Sequence, residues 1–145
     1  MITNERQYRI TKSEARKFEE AIAAARERGP GPDVQPRIHD AMIDSLESEL
    51  AALREQLDRY ESLKAGKVRE RKVHSLRDLP MLLIEGRIAA GLTQRQLADR
   101  LGLPEQQIQR YESTLYSGVS LERLQDVADA LGLEIEERVT YATHG

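Results

Sequence analysis

The chain has no cysteine, no tryptophan and a single phenylalanine beside five tyrosines. Without cysteine there is no disulfide, no thiol nucleophile and no thiolate metal site. So few aromatic rings in 145 residues leave no material for a large aromatic-lined substrate pocket. No run approaches the roughly 18 apolar residues a membrane span needs, and the start, MITNERQYRI, has no apolar signal core. A cytoplasmic protein with no membrane partner is expected. The three histidines, His39, His74 and His144, lie far apart and match no HExxH or paired-ligand spacing, so neither metal nor cofactor is expected. GPGP lacks the strand, helix and lysine of a phosphate loop, and the pairs Glu19-Glu20 and Glu136-Glu137 fall on polar faces. With no nucleophile, base and orienting group to assemble, the chain does not read as an enzyme.

What is present is charge, unevenly spread over a length that allows one modest domain plus extensions. The net charge is −3. Residues 1–28 carry seven Lys/Arg against five Asp/Glu, and residues 29–63 carry three against eight. Residues 64–78 reverse this with six against two, residues 79–132 carry five against seven, and the tail one against three. The whole chain is mildly acidic, but KAGKVRERKVHSLR is a local basic block.

These divisions coincide with helical patterns. Thr11 with Glu14 has capping-box spacing, Ala15, Phe18, Ile22 and Ala25 follow at helical intervals, and Gly29-Pro30 stops the run. A first helix of about four to five turns is expected. GPGPDVQP is a turn or short stiff linker. From Arg37 to about Lys64, Ile43, Leu46, Leu50, Leu53, Leu57 and Tyr60 alternate steps of three and four, an a/d seam of about three heptads. With Ile43 at position a, Glu49 falls at g and Arg54 at the following e, a pair that attracts between parallel chains. The seam therefore fits a parallel homodimer, or a hairpin with the Phe18 helix, or both at once as a dimeric four-helix arrangement.

Beyond a basic linker at 64–78, Ser75 with Asp78 suggests a capped start, and LPMLLIEGRIAAG offers Leu79, Leu82, Leu83 and Ile88 to a core before Gly91. Thr93 and Gln96 form a second capping box ahead of Leu97, Ala98 and Leu101. Gly102 stands where a tight turn between helices needs a positive φ, and Pro104 opens a third helix whose inner face is Ile108 and Tyr111. A last helix, LERLQDVADALG, presents Leu121, Leu124, Val127, Ala128 and Leu131. A small residue where two helices cross, a glycine at the bend and an apolar pin in the following helix are what a helix-turn-helix requires.

Through GLTQRQLADRLGL, IQRYE and SLERLQDVADALGL, residues 79–133 resemble the Xre/Cro family of phage-repressor-like DNA-binding domains. Where many members have Glu-Asn-Gly after the recognition helix, this chain has Glu112-Ser113-Thr114 and a loop about one residue longer. The resemblance implies a helix entering the major groove of double-stranded DNA. On a helical wheel Gln106, Gln109 and Arg110 face outward, flanked by Glu105 and Gln107, and these are the candidate base-reading residues. Arginine can bond guanine bidentately, glutamine can do so with adenine, and Glu105 can accept from cytosine. By the same resemblance Gln94 is expected to hold a phosphate, with Arg95 beside it. Lys67, Arg69, Arg71 and Lys72 are placed to supply the phosphate attraction that an acidic domain lacks.

The expected fold is all-α. A helical hairpin or coiled coil for dimerisation or partner binding spans 1–63, the helix-turn-helix domain spans 79–133, and 134–145 is a tail or short strand, from the alternation in LEIEERVTY. The expected function is a sequence-specific transcriptional regulator, a repressor binding palindromic operator DNA as a homodimer. The alternative is an antitoxin that neutralises a toxin protein through 1–63 and controls its own promoter. ITNERQYRITKSEARKFEEAI resembles the leaders of small antitoxin-like members of the family.

Overall fold

The computed structural model describes residues 1–144, which form α1 (Glu5–Arg28), α2 (Pro36–Lys64), a 3-10 turn (Leu76–Asp78), α3 (Leu79–Ala89), α4 (Gln94–Leu101), α5 (Glu105–Ser113) and α6 (Leu121–Ala130). No strand occurs among them, so the tail from Leu133 to His144 does not form the short strand considered above.

α1 begins at Glu5 and is capped by Asn4, not by Thr11. The Asn4 side chain accepts a hydrogen bond from the Gln7 backbone N–H at 2.8 Å, satisfying one of the free donors of the first turn. Nothing between Asn4 and Thr11 breaks a helix, so Thr11 and Glu14 lie inside α1. The helix has 24 residues, about 6.7 turns instead of four to five. Gly29 ends it with φ 67.

α2 returns antiparallel against α1, which makes the hairpin the arrangement within one chain. Ile43, Leu50, Leu57 and Tyr60 are buried on α2, Leu46 and Leu53 half-buried; they meet Ala15, Ile22 and Ala25, all buried, and half-buried Phe18. The six seam residues thus face α1. Arg54, assigned above to an interchain pair with Glu49, instead bonds Glu19 of α1 at 2.8 Å. Arg26 pairs with Glu47, and Tyr8 bonds Glu61. At the base of the hairpin Tyr8 and Tyr60 stack with centroids 5.2 Å apart. Burial, with a hydrogen bond to Glu5 at 3.0 Å, pushes the Tyr60 phenol up to about 12.

The four C-terminal helices share one core. Its largest fully buried side chains are Leu83 and Ile84 of α3, Leu97 of α4, Ile108 of α5 and Val127 of α6, each worth about 1.5–3 kcal/mol of burial. Ser75 caps the 3-10 turn, its hydroxyl accepting from the Arg77 N–H at 3.2 Å. Leu79 and Leu82 are half-buried and Ile88 buried; on α6, Leu124 is half-buried and Ala128 and Leu131 are buried. Leu121 departs from the expected pattern and is 77% exposed. It is the first residue of α6, and a side chain there leans back past the helix end, away from the core.

Hairpin and C-terminal domain are tied at two points. Glu85 of α3, 4% exposed, accepts from Arg59 of α2 at 2.7 Å and 2.9 Å and from Arg71 of the linker at 3.3 Å. Ile2 is buried, and the Thr3 carbonyl beside it accepts a hydrogen bond from the Arg87 guanidinium of α3. The first residues of the chain are thereby seated on the C-terminal domain.

Candidate nucleic-acid interface

The pair α4–α5 owes its geometry to three local devices. The Thr93 hydroxyl accepts from the Gln96 N–H at 3.1 Å while the Gln96 side chain accepts from the Thr93 N–H at 2.9 Å, the expected capping box. Gly102 adopts φ 68 and ψ 30, left-handed geometry that costs other residues about 1–2 kcal/mol. Pro104, extended, is the residue that immediately precedes α5. Ala98 is fully buried, as its small side chain at the crossing demands, and Ile108 fixes α5 from the other side.

α5 is held by a feature the sequence reading missed. Tyr111, expected to face inward, is only half-buried, and the inner position beside it belongs to Glu112, 5% exposed. Glu112 takes a two-armed bond from Arg87: Nε donates to Oε2 at 2.6 Å and Nη2 to Oε1 at 2.8 Å. Arg87 is itself 3% exposed and also donates to the Leu92 carbonyl at 2.8 Å. Such a desolvated pair is tolerated because nearly every donor and oxygen is matched. A visible signal existed: Glu85 and Arg87 interrupt an otherwise apolar helix, and charges on an apolar face need partners. Tyr111 instead lies against Tyr116, with centroids 5.3 Å apart.

After α5 the chain turns sharply. Leu115 and Tyr116 have φ of 50 and 54, left-handed conformations that non-glycine residues rarely adopt. The Thr114 hydroxyl donates to the Arg110 carbonyl at 2.8 Å, and the Tyr116 N–H to the Tyr111 carbonyl at 2.6 Å. Tyr116 is buried, and burial pushes its phenol far above the ordinary range. In this loop the first two left-handed positions are held by Leu115 and Tyr116, and Gly118 follows with φ 71.

On the opposite side of α5, Gln106, Gln109 and Arg110 are exposed and Gln107 is half-buried at its edge, while Glu105 is exposed at the first position of the helix. None of these five side chains makes a hydrogen bond or ion pair among the described residues. They form one polar surface with unspent donors and acceptors, on a helix whose other face is clamped. Of the phosphate candidates, Arg95 is exposed, whereas Gln94 is half-buried and its Nε2 donates to Glu112 at 3.0 Å. One of the Gln94 amide hydrogens is therefore committed to orienting the buried pair. Lys67, Arg69 and Lys72 are exposed and unpaired among the described residues, while Arg71 is drawn to Glu85. The candidate residues thus divide into α5, the start of α4 and the linker.

No group of histidine, cysteine and acidic residues that could hold a metal occurs among the described residues. No helix of the described chain is long and apolar enough to cross a membrane. No curated protein and no solved structure matches the chain. Residues 83–138 match the family model described as Helix-turn-helix, a span that begins in α3 and contains α4, the Gly102 turn, α5 and α6. The C-terminal part of this chain is therefore a helix-turn-helix domain of the Xre/Cro type, the DNA-binding unit of transcriptional regulators.

Proposed function

We infer that the protein is a sequence-specific cytoplasmic regulator that binds palindromic operator DNA as a homodimer and represses by occupying the promoter. The observation that carries this reading is the two-sided character of α5. Ile108 and Glu112 are buried in the domain, while Gln106, Gln109 and Arg110 are exposed with no partner of their own protein among the described residues. Amide and guanidinium groups on a fixed helix match the paired donors and acceptors of adenine and guanine in the major groove. Two copies related by a two-fold axis would set their reading helices about 34 Å apart, one turn of DNA.

In this reading Gln106 and Arg110 lead base contact, with Gln107, Glu105 and Gln109 around them. Arg95 and the remaining Gln94 hydrogen meet a phosphate at the start of α4, and Lys67, Arg69 and Lys72 add attraction from the linker. No catalytic step belongs to this function. The antitoxin alternative would give the hairpin a toxin as partner, and no observation on the hairpin favours that over a second copy of this chain. Selection of bound duplexes from random-sequence DNA tests the proposal. The expected result is an enriched inverted repeat, and a pool with no shared motif would refute it.

A further inference from the structure

The two flanks of the α1–α2 hairpin are built differently. In heptad terms, with Ile43 at a, the e positions of α2 are Glu47, Arg54 and Glu61. All three are answered by α1: Glu47 by Arg26, Arg54 by Glu19 and Glu61 by Tyr8. That flank is closed by charge, and its shallow groove is lined by Glu19, Arg26, Glu47 and Arg54 over Ala23 and Ala51. The g positions, Met42, Glu49 and Gln56, border the other flank, and none has a hydrogen-bond or ion-pair partner among the described residues. Beside them Leu46 and Leu53 are only half-buried, as is Phe18 of α1, and Met42 and Ala21 are exposed. Phe18, the one phenylalanine of the chain, therefore sits at the margin of a two-helix unit with one side still open.

We propose that this open flank, and not the a/d seam itself, is where a second copy of the chain docks, giving an antiparallel four-helix bundle. Two features select a second copy over another protein. The first is extent. α1 runs for 24 residues, about 36 Å, and two helices about 10 Å wide present a face of about 700 Å². A stable two-chain interface buries about 800 Å² on each partner, so the flank is of the size that a copy of itself would cover.

The second is charge complementarity under a two-fold axis parallel to the helices. Within one chain Glu19 is level with Arg54 and Arg26 with Glu47. Carried across the axis, the same register puts Glu49 within about one turn of Arg28 from the other copy. Both are exposed and neither has a partner within its own chain among the described residues. The flank is thus apolar along its middle and bears opposite charges where two copies would meet. Through Arg59, Arg71 and Glu85, and through Thr3 and Arg87, each hairpin is fastened to its own helix-turn-helix domain. A bundle formed here would set the separation of the two reading helices.

This interface deepens the homodimer reading above and is tested without DNA, so its failure is separable from failure of the operator reading. The mass of the full chain in solution is measured by sedimentation equilibrium, beside Met42→Asp, Ala21→Asp and, on the closed flank, Ala51→Asp. All three positions are exposed, so helix content by circular dichroism is expected to stay unchanged. The expected result is twice the 16.5 kDa chain mass for the wild type and Ala51→Asp, with Met42→Asp and Ala21→Asp weakening self-association at least tenfold. A monomeric wild type would overturn the proposal. So would dissociation on Ala51→Asp with the other two variants intact.

Discussion

At the scale of single residues, the buried pair Arg87–Glu112 is the anchor on which the exposed face of α5 depends. Glu112 is one turn on from Ile108 and shares its side of the helix, so the proposed reading surface is oriented by a charge as well as by an apolar pin. Glu112→Gln keeps the shape but strands the guanidinium of Arg87. Loss of one member of a buried ion pair costs about 3–5 kcal/mol, and the remaining carbonyl partners of Arg87 place the expected loss near the lower figure. Urea unfolding checks this, and a change below about 1 kcal/mol would show that the pair carries little of the domain's stability. Tyr60 offers a second residue-level test through pH. Burial first, and the Glu5 hydrogen bond second, raise its phenol from the ordinary 10.0 to about 12. The folded state therefore holds this proton more tightly than the unfolded chain. The stability it contributes is whole below about pH 10 and is lost as pH rises toward 12. In Tyr60→Phe the slope of stability against pH across that window should flatten.

At the scale of elements, the helix-turn-helix was legible because its constraints are local. Thr93, Gln96 and Gly102 act within a few residues of sequence, and each does in the structure what its position predicts. A methyl group on Gly102 would meet no atom within 4 Å, so Gly102→Ala costs only what its positive φ demands. A loss of about 1–2 kcal/mol is expected in thermal or urea unfolding. A neutral result would mean that the turn relaxes to another geometry. Less legible were features fixed by partners distant in sequence. The periodicity of Ile43 to Tyr60 identified a seam, but its occupant depended on whether α1 was long enough to cover it. The start of α1 was missed because Thr11-Glu14 mimics a cap that Asn4 in fact provides. Leu121 and Tyr111 matched an apolar pattern, yet one sits at a helix end and the other yields its inner place to Glu112. The ion pairs of Glu85 and Glu112 involve residues from three different elements, and no spacing rule announces such pairs.

At the scale of the whole molecule, the acidic charge and the DNA-binding domain are reconciled by where the free cations lie. The linker carries Lys67, Arg69 and Lys72 exposed, next to a domain that supplies Arg95 and Arg110. Removing one cation that neutralises a phosphate should lower the salt dependence of binding by about one unit of logarithmic slope. Alanine at Lys67, Arg69 or Lys72 is therefore expected to reduce the slope at unchanged stability. Arg71→Ala should instead destabilise the chain and leave the slope nearly intact, because Arg71 is engaged with Glu85. Equal slope changes for all four would contradict this division between binding and structural cations. The central claim remains that α5 reads base sequence. Its most direct measurement is the affinity of Gln106→Ala and Arg110→Ala for the selected duplex and for single-base variants of it, at one salt concentration. The account predicts a loss of about 1–3 kcal/mol for each protein variant on the selected site, with relaxed discrimination at one base position. Unchanged affinity and unchanged base preference in both variants would contradict it.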